Sequence, residues 1–415
     1  MKKTFLPILF FFLFYTAGTS AKGITKPNDS LLILTNANII DVVKGKVLKK
    51  KTITIKNGII LKIGKMPNKT DKCLVMDLGG QYIIPGLIDS HIHVTSPYKN
   101  SIEKTFDLLK YYLVHGITSA RDAGGDGAAL FEAQTAIRTG TRLGTDVFYS
   151  SFMAGDWYYN RGKNIRSAPY TPWEQRIMPG DDLDEAMAKA KACGATGVKL
   201  YHSFDGQFLV KVVAAAKRHG LIPWAHTALF PATPLEVVDA GVKVLSHVYM
   251  LETMQTDSLF YRRSTSLAYR DSIIAAIDVE PFCKAMVKND AILDATVCVS
   301  ADHDPWVFAL LKRVHRYGVK ISAGTDLIAD PKKPFPPMFD ELENFVNRCG
   351  FSNAEALYSA TQVSAEVIGQ AKNRGSITVG KRADLIILKE NPLRDIKLLR
   401  GEKIVIQNGR IIKFN

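Results

Sequence analysis

From Leu31 the chain alternates apolar and polar positions in short runs broken by turn residues: LLILTNANII, then KTITIKNGIILKIG, with Asn57-Gly58 between two alternating stretches. Asn-Gly between β-branched alternating runs is a strong hairpin signal, because both residues accept the positive φ of a tight type I′ turn. The same texture returns between Gly375 and Asn415 as GSITVGKRADLIILKENP and KIVIQNGRIIKF, with a second Asn-Gly at 408–409. Two ends of matching β-rich texture predict one small β-sandwich domain assembled from both termini, residues 22–84 and 373–415.

Between them the pattern changes to short apolar runs alternating with helical stretches. LDEAMAKAKACG, QFLVKVVAAAKRHG, PLEVVDAG and WVFALLKRVHRYG read as helices that stop at a glycine. Thr233-Pro-Leu-Glu236 and Ser352-Asn-Ala-Glu355 have capping-box spacing. The strand candidates are IIPGLIDSHIH, GITSARD, DVFYSS, TGVKLY, GLIPWAH, VKVLSH, AILDATV and VKISAGTD. Eight such runs alternating with helices suit an α/β (β/α)8 TIM barrel over residues 85–372. An open doubly wound sheet is the alternative, but no GxGxxG turn follows the first strand, which disfavours a dinucleotide-binding version.

The first 21 residues, MKKTFLPILFFFLFYTAGTSA, interrupt this pattern. Lys2 and Lys3 precede an apolar run from Phe5 to Tyr15, and Thr19-Ser20-Ala21 supplies small residues for a signal peptidase. The apolar run is short for a membrane span. Residues 1–21 are therefore expected to be a cleaved signal peptide, with export to a periplasm or outside the cell and no stable membrane anchor afterwards.

Composition is that of a globular protein, 47% hydrophobic and 23% charged over 415 residues. It excludes intrinsic disorder, collagen-like repeats and a polytopic membrane protein. The five cysteines are dispersed and none forms a CxxC pair, so neither a disulfide scaffold nor a zinc ribbon is available. The formal charge of +14, of which Lys2 and Lys3 leave with the signal, is spread along the chain; only KKK at 49–51 and KK at 332–333 are dense. That scatter argues against nucleic acid and leaves a solvated basic surface or an anionic small molecule.

Metal-capable residues fall where the strands end. His91 and His93 close the first predicted strand, Lys199 the fourth, His226 the fifth, His247 the sixth, and Asp326 follows the eighth. In a barrel all of these reach the C-terminal mouth, where active sites of this fold lie. His91-Ile92-His93 has period two, so both imidazoles project to one side. Singly each residue is unremarkable as a core or rim group; four of the nine histidines, a lysine and an aspartate at successive strand ends are not.

The blocks IIPGLIDSHIHV (83–94), GITSARDAGG (116–125), GVKLY (197–201), PWAH (223–226), LSH (245–247), SAGTD (322–326) and GSITVGKRADLIIL (375–388) resemble the metal-dependent amidohydrolase superfamily, in its imidazolonepropionase-like and prolidase-like (Xaa-Pro dipeptidase-related) branch. The resemblance implies two divalent metal ions, with Zn²⁺ the first expectation. His91 and His93 would hold the more buried ion, with Asp326 completing its shell, and His226 and His247 the second. Lys199 matches the lysine that binuclear members carboxylate with CO₂, its carbamate bridging both ions. A hydroxide bridging two metals is acidified while the carbonyl is polarised, and Asp326 would move its proton to the leaving amine.

Lys199 argues against imidazolonepropionase, which lacks the bridging lysine. The segment TALFPATP after His226 lacks the early glutamate of deaminases; the first is Glu236. Thr227-Ala228-Leu229 and the short YHSFDGQ loop depart from prolidase-like relatives.

Three segments are long enough to roof the site. Phe152 to Asp182 carries Trp157, Tyr158, Tyr159, Tyr170 and Trp173 among Arg161, Lys163, Arg166 and Arg176; a second carries Tyr261, Arg262, Arg263 and Arg270; the third is IADPKKPFPPM after Asp326. Aromatic rings supply contact area and an arginine can hold a substrate carboxylate in a bidentate grip. Tyr201 and His202, just beyond Lys199, are expected to hydrogen-bond the scissile carbonyl, and His303 lies near the rim.

The expected activity is amide hydrolysis on a small peptide or N-acyl amino acid. A metal-dependent lactonase or esterase on the same barrel is the alternative, and a non-catalytic binding protein is a third reading. A homo-oligomer is compatible with all three.

Overall fold

Both Asn-Gly turns form, with φ of 51° and 79° at Asn57-Gly58 and 51° and 73° at Asn408-Gly409, the left-handed pair that a two-residue hairpin requires. The computed structural model describes residues 31–65, 73–95, 101–162, 173–256, 266–300 and 306–413. The expected leader at 1–21 lies outside the described residues, as do Lys163, Arg166, Tyr170, Tyr261, Arg262, Arg263, His303 and the side chain of Arg161. No described helix is long and apolar enough to cross a membrane.

The N-terminal strands are β1 (Leu31–Asp41), β2 (Lys46–Lys56), β3 (Ile59–Gly64), β4 (Cys73–Asp77) and β5 (Tyr82–Pro85). β1 runs antiparallel to β2 and parallel to both β4 and β5. The barrel strands follow: β6 (Leu87–Ile92), β7 (Ile117–Asp122), β8 (Asp146–Ala154), then a short outer strand β9 (Glu174–Arg176), β10 (Gly197–Leu200), β11 (Ile222–His226), β12 (Val244–Ser246), β13 (Ile292–Asp294) and β14 (Lys320–Ser322). The chain ends with β15 (Leu385–Leu388), β16 (Lys403–Gln407) and β17 (Arg410–Ile411).

β15 lies antiparallel to β5, Leu385 opposite Pro85 and Leu388 opposite Tyr82, which joins the two ends of the sequence in one sheet. That sheet follows the order β17-β16-β15-β5-β1-β2-β3. It curls until β3 meets the chain ahead of β15, with Ile60 N–H donating to the Lys381 carbonyl at 2.9 Å and Ala383 N–H to that of Gly58 at 2.7 Å. Leu34, Ile39, Ile53, Ile55, Leu385 and Ile406 fill the space it encloses.

The eight parallel strands β6, β7, β8, β10, β11, β12, β13 and β14 form the barrel wall in chain order. Ser90 N–H donates to the Ala323 carbonyl at 2.9 Å and Asp326 N–H to that of His91 at 2.8 Å, closing the circle between the last strand and the first. Helices cover the outside. Gly206–Arg218 is representative: Phe208, Leu209, Val212, Val213 and Ala216 make its buried stripe, the spacing of one helix face. Both predicted capping boxes are closed, Thr233 with Glu236 and Ser352 with Glu355.

Part of the segment read from sequence as a roof loop is ordered structure. Asp156–Gly162 is helical, and β9 pairs with the Phe152–Ala154 end of β8. β7 leaves β8 at Tyr149, so the long strand β8 outruns its neighbour and β9 takes the open edge. Three residues, Glu-Gln-Arg, carry no alternation by which a sequence reading finds a strand.

Candidate metal centre

Strand ends bring five of the six expected ligands into one group at the barrel mouth, and the turn after β14 brings the sixth; all but His93 and Asp326 are buried. His91 lies within β6 and His93 one residue beyond it. His91 Nε2 is 3.3 Å and His93 Nε2 2.9 Å from Asp326 Oδ1. His247 Nδ1 is 3.6 Å from Asp326 Oδ2. Potential ligand atoms of His91, His247 and Asp326 lie within 4.8 Å of one another. The His226 ring centroid is 4.7 Å from that of His247. Lys199, on β10, is 2% exposed.

Two of these residues sit in uncommon backbone. His247 has φ 80° and Asp326 φ 54°, left-handed conformations that cost a non-glycine residue about 1–3 kcal/mol and persist only where the surroundings impose them. Here they do. His247 N–H is tied to the Asp294 carbonyl at 2.9 Å and Asp326 N–H to that of His91. Asp89 accepts from both Thr325 N–H and Thr325 Oγ1 at 3.1 Å, fixing the turn that carries Asp326.

Asp294, at the end of β13, organises the wall behind these side chains. Its Oδ2 lies 2.6 Å from His91 Nδ1, 2.7 Å from an Arg121 guanidinium nitrogen and 3.0 Å from Ser246 Oγ, while Oδ1 accepts from Ser90 Oγ at 2.9 Å. Arg121 and Asp294 are both fully buried. A carboxylate on Nδ1 fixes the imidazole tautomer and turns the Nε2 lone pair toward the site. At His247 the contact to Nδ1 is a hydroxyl, Thr296 Oγ1 at 2.9 Å.

The electrostatics favour a cation. Burial pushes the His91 imidazole down to about 4 against the pull of Asp326 and Asp294, and burial with the nearby Lys199 holds His226 and His247 well below their usual range. All three are therefore neutral donors at neutral pH. Burial would raise Asp326, but His91 and His247 and the His93 hydrogen bond outweigh it and keep the carboxylate ionised. Burial, reinforced by Arg121, lowers the Lys199 amine to about 7. Lys199 Nζ is enclosed without a hydrogen-bond partner among the described residues. Such a group is costly to bury as it stands. Three neutral imidazoles, a fourth that Asp326 draws toward its charged form, one ionised carboxylate and a buried unpartnered amine make a donor set that fits divalent cations.

Around this group stands an aromatic wall. Tyr201 packs on His226 with centroids 4.1 Å apart and touches Phe152 and Tyr158 at 4.9 and 5.0 Å. His202 is placed differently: its ring is stacked between Trp157 at 4.1 Å and Phe230 at 5.2 Å, with Nδ1 2.9 Å from Ser203 Oγ. Arg176 pairs with Asp156, and Arg270 lies in the helix Leu267–Ala276.

Asp294, Arg121 and Thr296 were not singled out from sequence. An aspartate closing the apolar run AILD, at the same strand position as the ligands, was the available signal for the first. Arg121 and Thr296 carry no comparable mark.

The amidohydrolase family model matches residues 82–412 of this chain. Among curated proteins, ochratoxinase of Aspergillus niger is 25% identical over 426 residues, covering 89% of this chain and 84% of the relative. Enamidase of Eubacterium barkeri is 31% identical over 365 residues, covering 85% of each. Among solved structures, a Xaa-Pro dipeptidase with methionine bound in its active site superposes with a TM-score of 0.73 at 21% identity, over 92% of this chain and 100% of the other.

Proposed function

Because the chain belongs to the amidohydrolase family, hydrolases of carbon–nitrogen bonds, we propose that it cleaves an amide bond in a small peptide or N-acyl amino acid at a two-metal centre. The observation that carries this reading is the Lys199 amine, buried and unpartnered beside His91, His226, His247 and Asp326. His91, His93 and Asp326 would hold one divalent ion, His226 and His247 the other, with Lys199 as its carbamate shared between them. Zn²⁺ suits the nitrogen-and-oxygen donor set. Bound there, the ions would supply Lewis acidity that acidifies water and polarises the scissile carbonyl.

The chain's own residues do the rest. Asp326 is held ionised within reach of both first-strand histidines and is the group that accepts the proton of the attacking water and passes it to the leaving nitrogen. Tyr201, next to His226, is the residue on this wall best placed to meet the carbonyl side of a substrate. Phe152, Tyr158 and Tyr201 offer an apolar surface that suits a bulky acyl or amino-acid side chain. The names of the enamidase and the Xaa-Pro dipeptidase, both amide-bond enzymes, agree with this chemistry. The leader at Met1–Ala21 supports export to a periplasm or beyond.

Carboxylation of Lys199 gives the reading a pH signature. The neutral amine attacks CO₂, forms a C–N bond and releases one proton, so the reaction needs the unprotonated form. With the amine lowered to about 7, the metal-free protein is competent above that pH and loses competence as the ammonium forms below it. After equilibration with ¹³C-bicarbonate, ¹³C NMR of wild type should show one carbamate carbon at pH 8, weakened at pH 6 and absent in Lys199→Ala. No carbamate signal at pH 8, with or without zinc, would remove the support for a lysine bridge.

A further inference from the structure

The barrel floor, at the opposite strand ends from the metal centre, meets the small domain around a cavity of about 590 Å³. Asp146 at the start of β8 and Thr196 just before β10 line it from the barrel, and Arg382 and Asn408 from the small domain. Arg138 and Arg374 complete a group of three guanidinium ions.

Two of the three make the closer ion pairs. Arg138 Nε donates to Asp146 Oδ1 at 2.8 Å. Arg374, 6% exposed, grips Asp146 and lies 3.2 Å from Asp384 Oδ2. Arg382 is the most loosely held: its Nε makes an ion pair with Asp384 Oδ2 at 3.7 Å, beyond hydrogen-bond range, and shares that oxygen with Arg374. Neither Arg382 Nε nor Asp384 Oδ2 has a hydrogen-bond partner among the described residues. Three guanidinium ions against two carboxylates leave a net excess of one positive charge around the cavity. Burial and the neighbouring Arg374 already act against the charge on Arg382, and an anion would relieve both.

We infer that this cleft binds a small oxyanion, the phosphoryl group of inorganic phosphate or of a small phosphate ester, on Arg382. The guanidinium fork matches paired oxygens of such a group. Cationic and polar residues line the cavity from separate chain segments, Arg138 from the barrel side and Arg382 from the small domain, which suits the several oxygens of a tetrahedral oxyanion. The bound anion would bridge the two domains and stabilise the folded state by mass action. The site is remote from the metal centre, so the inference stands independently of the proposed activity.

The test uses the full-length protein and two phosphoryl probes, inorganic phosphate and glycerol phosphate, against sodium chloride at matched ionic strength. With about 10 mM of either probe, Tm of wild type should rise by about 2 °C or more, and Arg382→Gln should lose the rise. The variant comparison removes any contribution of phosphate acting on bound metal. A larger rise with the ester identifies a phosphorylated metabolite as ligand; equal rises identify the free phosphoryl group. Titration calorimetry of wild type with phosphate should give one site per chain, and it decides the matter if the variant folds poorly. No binding by wild type at millimolar phosphate, or the same Tm rise in wild type and Arg382→Gln, overturns the inference.

Discussion

Alanine in place of Lys199 is expected to lower the zinc content of the purified protein from about two ions per chain to about one, and to cut kcat/KM on an amide substrate by about 10³-fold. A second Lewis acid is worth several kcal/mol of transition-state stabilisation, and about 4 kcal/mol corresponds to that factor. The fold should survive. Lys199 Nζ makes no hydrogen bond to lose, and its amine is already discouraged from carrying charge, so truncation removes an expense rather than a contact. Metal analysis and steady-state kinetics on the same preparation check both halves. Full activity with one ion per chain would dispose of the two-metal account while leaving the barrel and its histidines intact.

The second large effect is expected at Asp294. Asn in its place keeps the shape but removes the charge that faces His91 Nδ1 and Arg121 in a fully buried setting. Burial alone would raise this carboxyl, yet His91 and Arg121 outweigh it and hold it well below the ordinary range, so the ionised form is the one the native structure favours. Leaving Arg121 buried without its counter-charge should cost about 3–5 kcal/mol of stability. Losing the carboxylate behind His91 should weaken zinc binding by about 10–100-fold. The two effects separate in the double variant Asp294→Asn with Arg121→Met, where stability recovers because neither charge is left alone but zinc affinity stays low. Urea unfolding and a competitive zinc titration measure them independently. Zinc affinity restored along with stability would reduce Asp294 to a packing role.

That these side chains gather at the barrel mouth was legible in the sequence because a barrel maps chain order onto angular order. Once the apolar runs were placed, His91, Lys199, His226, His247 and Asp326 fell at the ends of the first, fourth, fifth, sixth and eighth of them. The terminal domain was legible from the two Asn-Gly turns, whose local backbone requirement survives in any context. What escaped were partnerships across strands. Asp294 and Arg121 lie 173 residues apart and meet only because β7 and β13 face each other across the barrel interior. The Trp157–His202–Phe230 stack joins three segments in the same way. It accounts for a histidine that sequence position alone assigned to the scissile carbonyl. Arg382 sits inside the family-like block GSITVGKRADLIIL, where nothing in the sequence distinguishes a tightly paired arginine from a loosely paired one.

The account rests on amide hydrolysis at the metal centre, and one measurement addresses that directly: kcat/KM of the zinc-loaded protein across dipeptides, N-acyl amino acids and lactones, before and after chelation. The prediction is turnover of amide substrates, strongest with bulky apolar side chains, that disappears on chelation and returns with zinc. Turnover confined to lactones, or amide hydrolysis that persists after the metal is removed, would contradict it.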